Sequence, residues 1–222
     1  GFRTDKTVLD VLIKNNIKRR PSKIQTHYFE SFFEKIDNHD KAYVLGLIMA
    51  DGYIIKDYEG FGIQLTEGDG YILEKIRDLV GGTNPITIID CSCKRKVLPN
   101  AKNMKRLSVF SRKMSEDLKR LGVIRNKSKI LRYNGCVPRK YLCSFFRGLI
   151  DGDGCIYRGK NGRYQIQLSS ASKKFLEDLN SIDMCHKFHI HKSPGIYNLY
   201  LTGGKKCCQK FLKWMYSHKG NL

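Results

Sequence analysis

The chain has 222 residues, 41 % of them apolar and 28 % charged, which is a globular composition with enough apolar residues for a sizeable core. No apolar run reaches the roughly 18 residues of a bilayer-spanning helix, so a membrane-spanning role is excluded and an intracellular location is expected. Lys and Arg number 41 against 21 Asp and Glu, a formal charge of +20, and the partner to expect is a polyanion.

Residues 1–40 include the basic segment IKNNIKRRPSKI with Pro21 and have no counterpart later in the chain. They read as an appended DNA-contacting arm or the tail of a truncated domain. From residue 41 the pattern becomes regular. A helix is predicted over 41–50, then strands over 53–58 and 61–66 joined by a turn at Gly60. In the second strand Phe61, Ile63 and Leu65 alternate with Gly62, Gln64 and Thr66, the period of a half-buried strand. A helix over 69–80 ends at Gly81-Gly82. Strands over 85–90 and 104–111 flank the basic loop CSCKRKVLPNAKN, and a helix over 113–121 closes the unit at Gly122.

Residues 123–139 read as a linker, with Pro138 just ahead of the next helix. The same order then repeats: a helix over 140–151, strands over 155–159 and 164–170, a helix over 173–184, strands over 187–192 and 196–202, and a helix over 204–217. The segments GIQLTEGDGYILEKI and QIQLSSASKKFLEDL agree in pattern with almost no gap. The chain is therefore expected to carry one unit twice, over 41–122 and 140–222, in an α+β fold of duplicated αββαββα repeats.

Each unit opens on an apolar helix with small residues four apart, Gly46 and Ala50 in the first, Gly148 and Gly152 in the second. Positions i and i+4 share a face, and small side chains there let two helix backbones approach closely. The two helices are expected to pack on a pseudo-twofold axis and to deliver Asp51 and Asp153 side by side. Two carboxylates at negative helix ends repel each other and the helix dipoles. A divalent cation reverses both effects, and hard oxygen ligands suit Mg²⁺, with the Ala50 and Gly152 carbonyls as further ligand candidates.

VLGLIMADG (44–52) and FRGLIDGDG (146–154) resemble the two motifs of a LAGLIDADG homing endonuclease of the single-chain, two-repeat type, like those encoded in phages and introns. The resemblance covers residues 41–217. It implies two antiparallel four-stranded sheets forming a DNA-binding saddle, with the motif helices packed at the centre. It also implies hydrolysis of both strands of a long double-stranded DNA target, with metal held by Asp51 and Asp153. Mg²⁺ is the expected ion, and Mn²⁺ or Ca²⁺ can occupy such a site in vitro. Family position points to Arg112 or Lys113 in the first unit and Lys205 or Lys206 in the second as charge-stabilising basic residues, and Gln64 and Gln167 are candidates for orienting water.

The polar faces of the strands are candidate base readers: Arg106, Gln165, Lys187, His189, His191, Asn198 and Tyr200, with Lys94 and Arg95 in the basic loop. Two stretches, 92–113 and 118–150, carry eight and nine basic residues respectively and no acid, which favours nucleic acid over a merely solvated surface. The chain is expected to act as a monomer. The alternative is an intron-splicing maturase, with intron RNA as a second partner, or a non-cleaving nucleic-acid binder on the same scaffold. The eight cysteines include no CxxC pair, so zinc ribbons and fingers are not indicated and reduced thiols are expected. Cys185, His186, His189 and His191 are the one local cluster with metal-ligand chemistry.

Overall fold

The computed structural model describes residues 5–16, 27–93, 99–158, 164–184, 186, 188–218, 220 and 222. After a first helix α1 (Asp5–Lys14), the chain builds α2 (His39–Asp51), β1 (Gly52–Ile54), β2 (Phe61–Thr66), α3 (Gly70–Leu79), β3 (Thr87–Ile89), β4 (Met104–Val109) and α4 (Arg112–Arg120). The second unit runs α5 (Leu142–Asp153), β5 (Gly154–Arg158), β6 (Tyr164–Ser170), α6 (Lys173–Asn180), β7 (Phe188–Ser193), β8 (Ile196–Leu201) and α7 (Gly204–Met215). The sheets have orders β1-β2-β4-β3 and β5-β6-β8-β7, every pairing antiparallel, so the two units share one topology. The duplicated αββαββα fold is present.

Alternation along the strands sets what each sheet buries. Phe61, Ile63 and Leu65 of β2 and Leu107 and Val109 of β4 face the helices and are buried. Gly62, Gln64, Thr66, Arg106 and Ser108 point the other way in the same register. In the second sheet Ile166, Leu168, Leu199 and Leu201 form the buried face, and Gln165, Gln167, Ser169 and Tyr200 lie on the opposite one.

Helices α2 and α5 are buried almost all round, from Ala42 to Met49 and from Leu142 to Ile150. They lie against each other, and the small residues mark the crossing. A Cβ added to Gly46 would collide with the Phe145 carbonyl oxygen, and one on Gly148 with the Tyr43 carbonyl oxygen. Backbone meets backbone at both points, so nothing there can rotate aside. We therefore expect Gly46→Ala or Gly148→Ala to force the helices apart and cost about 3 kcal/mol, at the upper end of overpacking penalties. Urea titration of the variants measures this; an unchanged midpoint would contradict the close crossing.

Several boundaries differ from the sequence expectation. Helix α2 starts at His39 because the Asn38 side chain caps it, accepting from Lys41 N at 2.8 Å. Strand β1 ends at Ile54 rather than 58, since Asp57 adopts φ 57° inside a tight 3₁₀ turn. Residues 139–141 form a 3₁₀ turn, and α5 begins at Leu142. Helix α6 stops at Asn180 rather than 184. The folded body of the first unit begins before residue 41. Phe32, Phe33 and Ile36 are buried in the core, Phe33 stands edge-on to Phe61 at 5.6 Å, and Phe29 N donates to Val80 O.

Candidate metal centre and nucleic-acid face

Asp51 and Asp153 are the last residues of α2 and α5. The following glycines, Gly52 and Gly154, enter the first strand of each sheet in an extended conformation. Space is what requires glycine here: a Cβ on Gly52 would stand 2.7 Å from Ile48 Cα, and one on Gly154 2.5 Å from Ile150 Cα. A Cβ on Gly152 would meet the Ala50 side chain at 2.5 Å and an Asp51 carboxylate oxygen at 3.1 Å. The small residues thus bring the two acidic helix ends together.

The electrostatics follow from that proximity. Desolvation, followed by the charge of Asp153, pushes the Asp51 carboxyl up to about 6. Desolvation also raises Asp153. One cation opposes both shifts: Lys127, 8 % exposed, whose Nζ donates to the Ala50 carbonyl at 2.8 Å. Its own pKa is pulled down by desolvation, with both aspartates working against that. Lys127 sits in the predicted linker, directly after Asn126 in the left-handed conformation (φ 56°), at the start of a 3₁₀ turn. Sequence reasoning missed it. Its type was hidden among many basic residues of an acid-free stretch, although Asn126 and the buried Val123 and Leu131 on either side marked a chain return.

Several expected site residues lie elsewhere. The Ala50 carbonyl, expected as a metal ligand, accepts from the Lys127 ammonium at 2.8 Å. Lys113 is exposed and pairs with Asp117 at 2.7 Å within α4. Lys205 lies over the Tyr164 ring at 5.8 Å and is absent from the charges that move Asp153. Helix geometry explains both, because each lysine belongs to a helix on the covered side of its sheet. Asp151 is hydrogen-bonded by the Tyr43 hydroxyl at 2.9 Å, cross-linking α5 to α2, while Met49 at the matching position is buried in the core.

The open sheet faces collect most of the candidate base readers. Gln64 stands opposite Arg106 across β2 and β4, and the Arg106 Nε is buried with no hydrogen-bond partner among the described residues. Gln167 lies between Cys155 and Tyr200. Its amide donates to Asn198 at 2.8 Å and Ser169 at 3.0 Å. His189 and His191 of β7 are exposed beside Tyr200 and Asn198. Gln165 accepts from the Tyr157 hydroxyl at 2.7 Å. Asn198 is corrected as a free reader: it is 5 % exposed, and its amide is used by Gln167, Ser169 and Ser193. Lys94, Arg95 and Lys187 lie outside the described residues. The local Cys/His group, not expected to hold a metal, does not assemble among the described residues. His186 is buried against Phe211 and Trp214, whereas His189 and His191 are on the open face of β7, and Cys185 lies outside the described residues.

Residues 140–206 match the family described as LAGLIDADG-like domain. No curated protein sequence matches the chain. Among solved structures, full-length DUF199/WhiA from Thermatoga maritima superposes with a TM-score of 0.56 at 14 % identity, covering 85 % of this chain and 60 % of that one. Variants of the homing endonuclease I-DmoI superpose with a TM-score of 0.52 at 16 % identity over 86 % of this chain and 98 % of that one. The meganuclease I-AabMI bound to uncleaved DNA gives 0.51 at 13 % identity, over 79 % and 83 %. Two equal units, each opening on an acid-tipped helix packed against its counterpart, carry the likeness in fold across both halves, and residues 140–206 form a LAGLIDADG-like domain.

Proposed function

We propose that the protein is a site-specific homing endonuclease that hydrolyses both strands of a long double-stranded DNA. The observation that carries the reading is the paired Asp51 and Asp153, held together at helix ends where their mutual repulsion makes no sense for stability. Two carboxylates and the Lys127 ammonium leave a net formal charge of −1 when all are ionised (−2 + 1), which a divalent cation and a phosphodiester can complete. The donor set fits a hard ion: Asp51 and Asp153 would hold Mg²⁺, with Mn²⁺ or Ca²⁺ as substitutes and the Gly152 carbonyl as a further ligand. When bound, such an ion supplies Lewis-acid polarisation of the phosphate and a lowered pKa for its water. Lys127, which acts on both aspartates, would stabilise negative charge developing on the phosphate. Gln64 and Gln167, on the open sheet faces, are candidates for orienting water.

DNA would lie across the two sheet faces. The formal charge of +20 supplies the sequence-independent attraction, and Arg106, Gln165, His189, His191 and Tyr200 supply base contacts, with Lys94, Arg95 and Lys187 as further candidates. The orphaned Arg106 Nε supports this, because a guanine edge or phosphate would give it the acceptor the protein withholds. We expect the dissociation constant for a long duplex to rise steeply with salt, log K falling by about 0.9 per phosphate neutralised for each decade. A salt titration by fluorescence anisotropy measures the slope, and a flat dependence would speak against an extended electrostatic footprint.

The decisive assay is cleavage of a randomised-site DNA library with Mg²⁺ and with EDTA. Metal-dependent cuts at one enriched long sequence are expected. Binding without cutting in either condition would favour the second reading, a non-cleaving nucleic-acid binder or an intron-splicing maturase. That reading draws on the likeness to WhiA alongside the meganucleases, since one scaffold can carry different functions. Intron RNA binding as tight as duplex binding would move the choice to the maturase.

A further inference from the structure

The central helices carry a second cluster at their other ends, about 18 Å from the aspartates by helical rise. His39 opens α2, Cys143 lies in the first turn of α5, and His218 follows α7. One ligating atom from each lies within 4.8 Å of the others. His39 Nδ1 stands 3.8 Å from the Cys143 sulfur and 2.9 Å from the Ser144 hydroxyl. The rings of His39 and His218 stack at 3.9 Å, and Tyr141 meets His39 edge-on at 5.0 Å. Cys143 is 3 % exposed, while His218 is open to solvent.

We propose that His39, Cys143 and His218 form a site for a borderline-soft divalent ion of the zinc class, separate from the hard-ion aspartate pair. The ligand chemistry selects the ion: one thiolate and two imidazoles suit Zn²⁺ or Co²⁺ and discriminate against Mg²⁺. The spacing is close to what coordination needs. Tetrahedral bonds of about 2.0–2.3 Å place ligand atoms roughly 3.3–3.8 Å apart. The His39–Cys143 distance already meets that, and His218, exposed beyond the end of α7, has about 1 Å to travel. A water completes three protein ligands. The thiol gives up its proton to solvent as the metal–sulfur bond forms. The ion would then clasp the starts of α2 and α5 to the chain after α7, fixing across the pseudo-twofold axis the two helices whose far ends carry Asp51 and Asp153.

The test uses the full chain, stripped with EDTA and dialysed, with Co²⁺ as the optical probe. One equivalent should produce a sulfur-to-cobalt charge-transfer band with the visible bands of a tetrahedral centre, and Zn²⁺ should bleach it. Cys143→Ser and His218→Ala should each abolish the charge-transfer band and weaken Zn²⁺ binding by roughly 100-fold in calorimetry. His218 is exposed, so its variant folds even if the buried cysteine's does not. Asp51→Asn, Asp153→Asn should retain the band unchanged, which separates this site from the nuclease reading. Absence of the band in the native chain, or its persistence in either ligand variant, would overturn the proposal.

Discussion

Replacing Asp51 with asparagine is expected to end cleavage and at the same time stabilise the protein, Asp153 remaining as the partner of the buried Lys127. Each carboxylate is a proposed metal ligand, and losing several kcal/mol of charge stabilisation corresponds to a fall of roughly a thousandfold or more in rate. Stability moves the other way. The Asp51 carboxyl sits at about 6 against 3.8 ordinarily, and that value already includes the favourable pull of Lys127. A raised carboxyl means the folded state holds a proton that the unfolded chain has released. Stability therefore falls as pH rises from about 4 through 6, and the penalty is fully present at pH 8. After discounting for partial exposure, removing the Asp51 charge should return about 1–2 kcal/mol at pH 8, or about 2–8 °C in Tm. At pH 4 the gain should vanish. Mg²⁺ should raise the Tm of the native protein at pH 8 and leave the Asp51→Asn, Asp153→Asn double variant unmoved. Undiminished cutting by Asp51→Asn, or a lower Tm for it at pH 8, would sink the assignment.

Lys127→Met should lower cleavage by about 100-fold, the loss typical of removing one preorganised group that stabilises transition-state charge. The ammonium is buried beside the two acids and donates to Ala50 O. Duplex affinity in EDTA should accordingly stay within about threefold. A merely structural lysine would not move the pH profile, and this one should. Lys127 lowers both aspartate pKa values, so without it they rise, and the acid limb of the cleavage profile shifts to higher pH. An unshifted limb would leave Lys127 a structural tie between the chain after α4 and the end of α2.

Much of the scaffold was legible because its signals are local and periodic. Strands β2 and β6 fall at 61–66 and 164–170, where apolar alternation placed them. The duplication needed only two matched motifs to be seen, and each central helix showed its crossing point in small residues four apart. The errors have local physical causes too. Asn38 lengthened α2 by capping it, and the left-handed Asp57 cut β1 short. Phe32 and Phe33 joined the core although their segment carries no repeat, because burial depends on what packs above a residue rather than on its neighbours in the chain.

By itself the sequence determined that two acids would stand at the ends of two closely packed helices, and that a strongly basic chain would offer a polar sheet face to a polyanion. Those properties follow from residue size, helical period and net charge, which act over a few positions or over the whole composition. Only the tertiary structure decided which cation meets the acids. Lys113 pairs with Asp117 and Lys205 lies over Tyr164, while Lys127 arrives from a chain return with no period to reveal it. Likewise His39 and Cys143, 104 positions apart, become neighbours only because their helices cross, and Asn198 is withdrawn from the open face by bonds to its strand neighbours. Convergence of distant side chains is a product of packing geometry, and no local pattern of residue types encodes it.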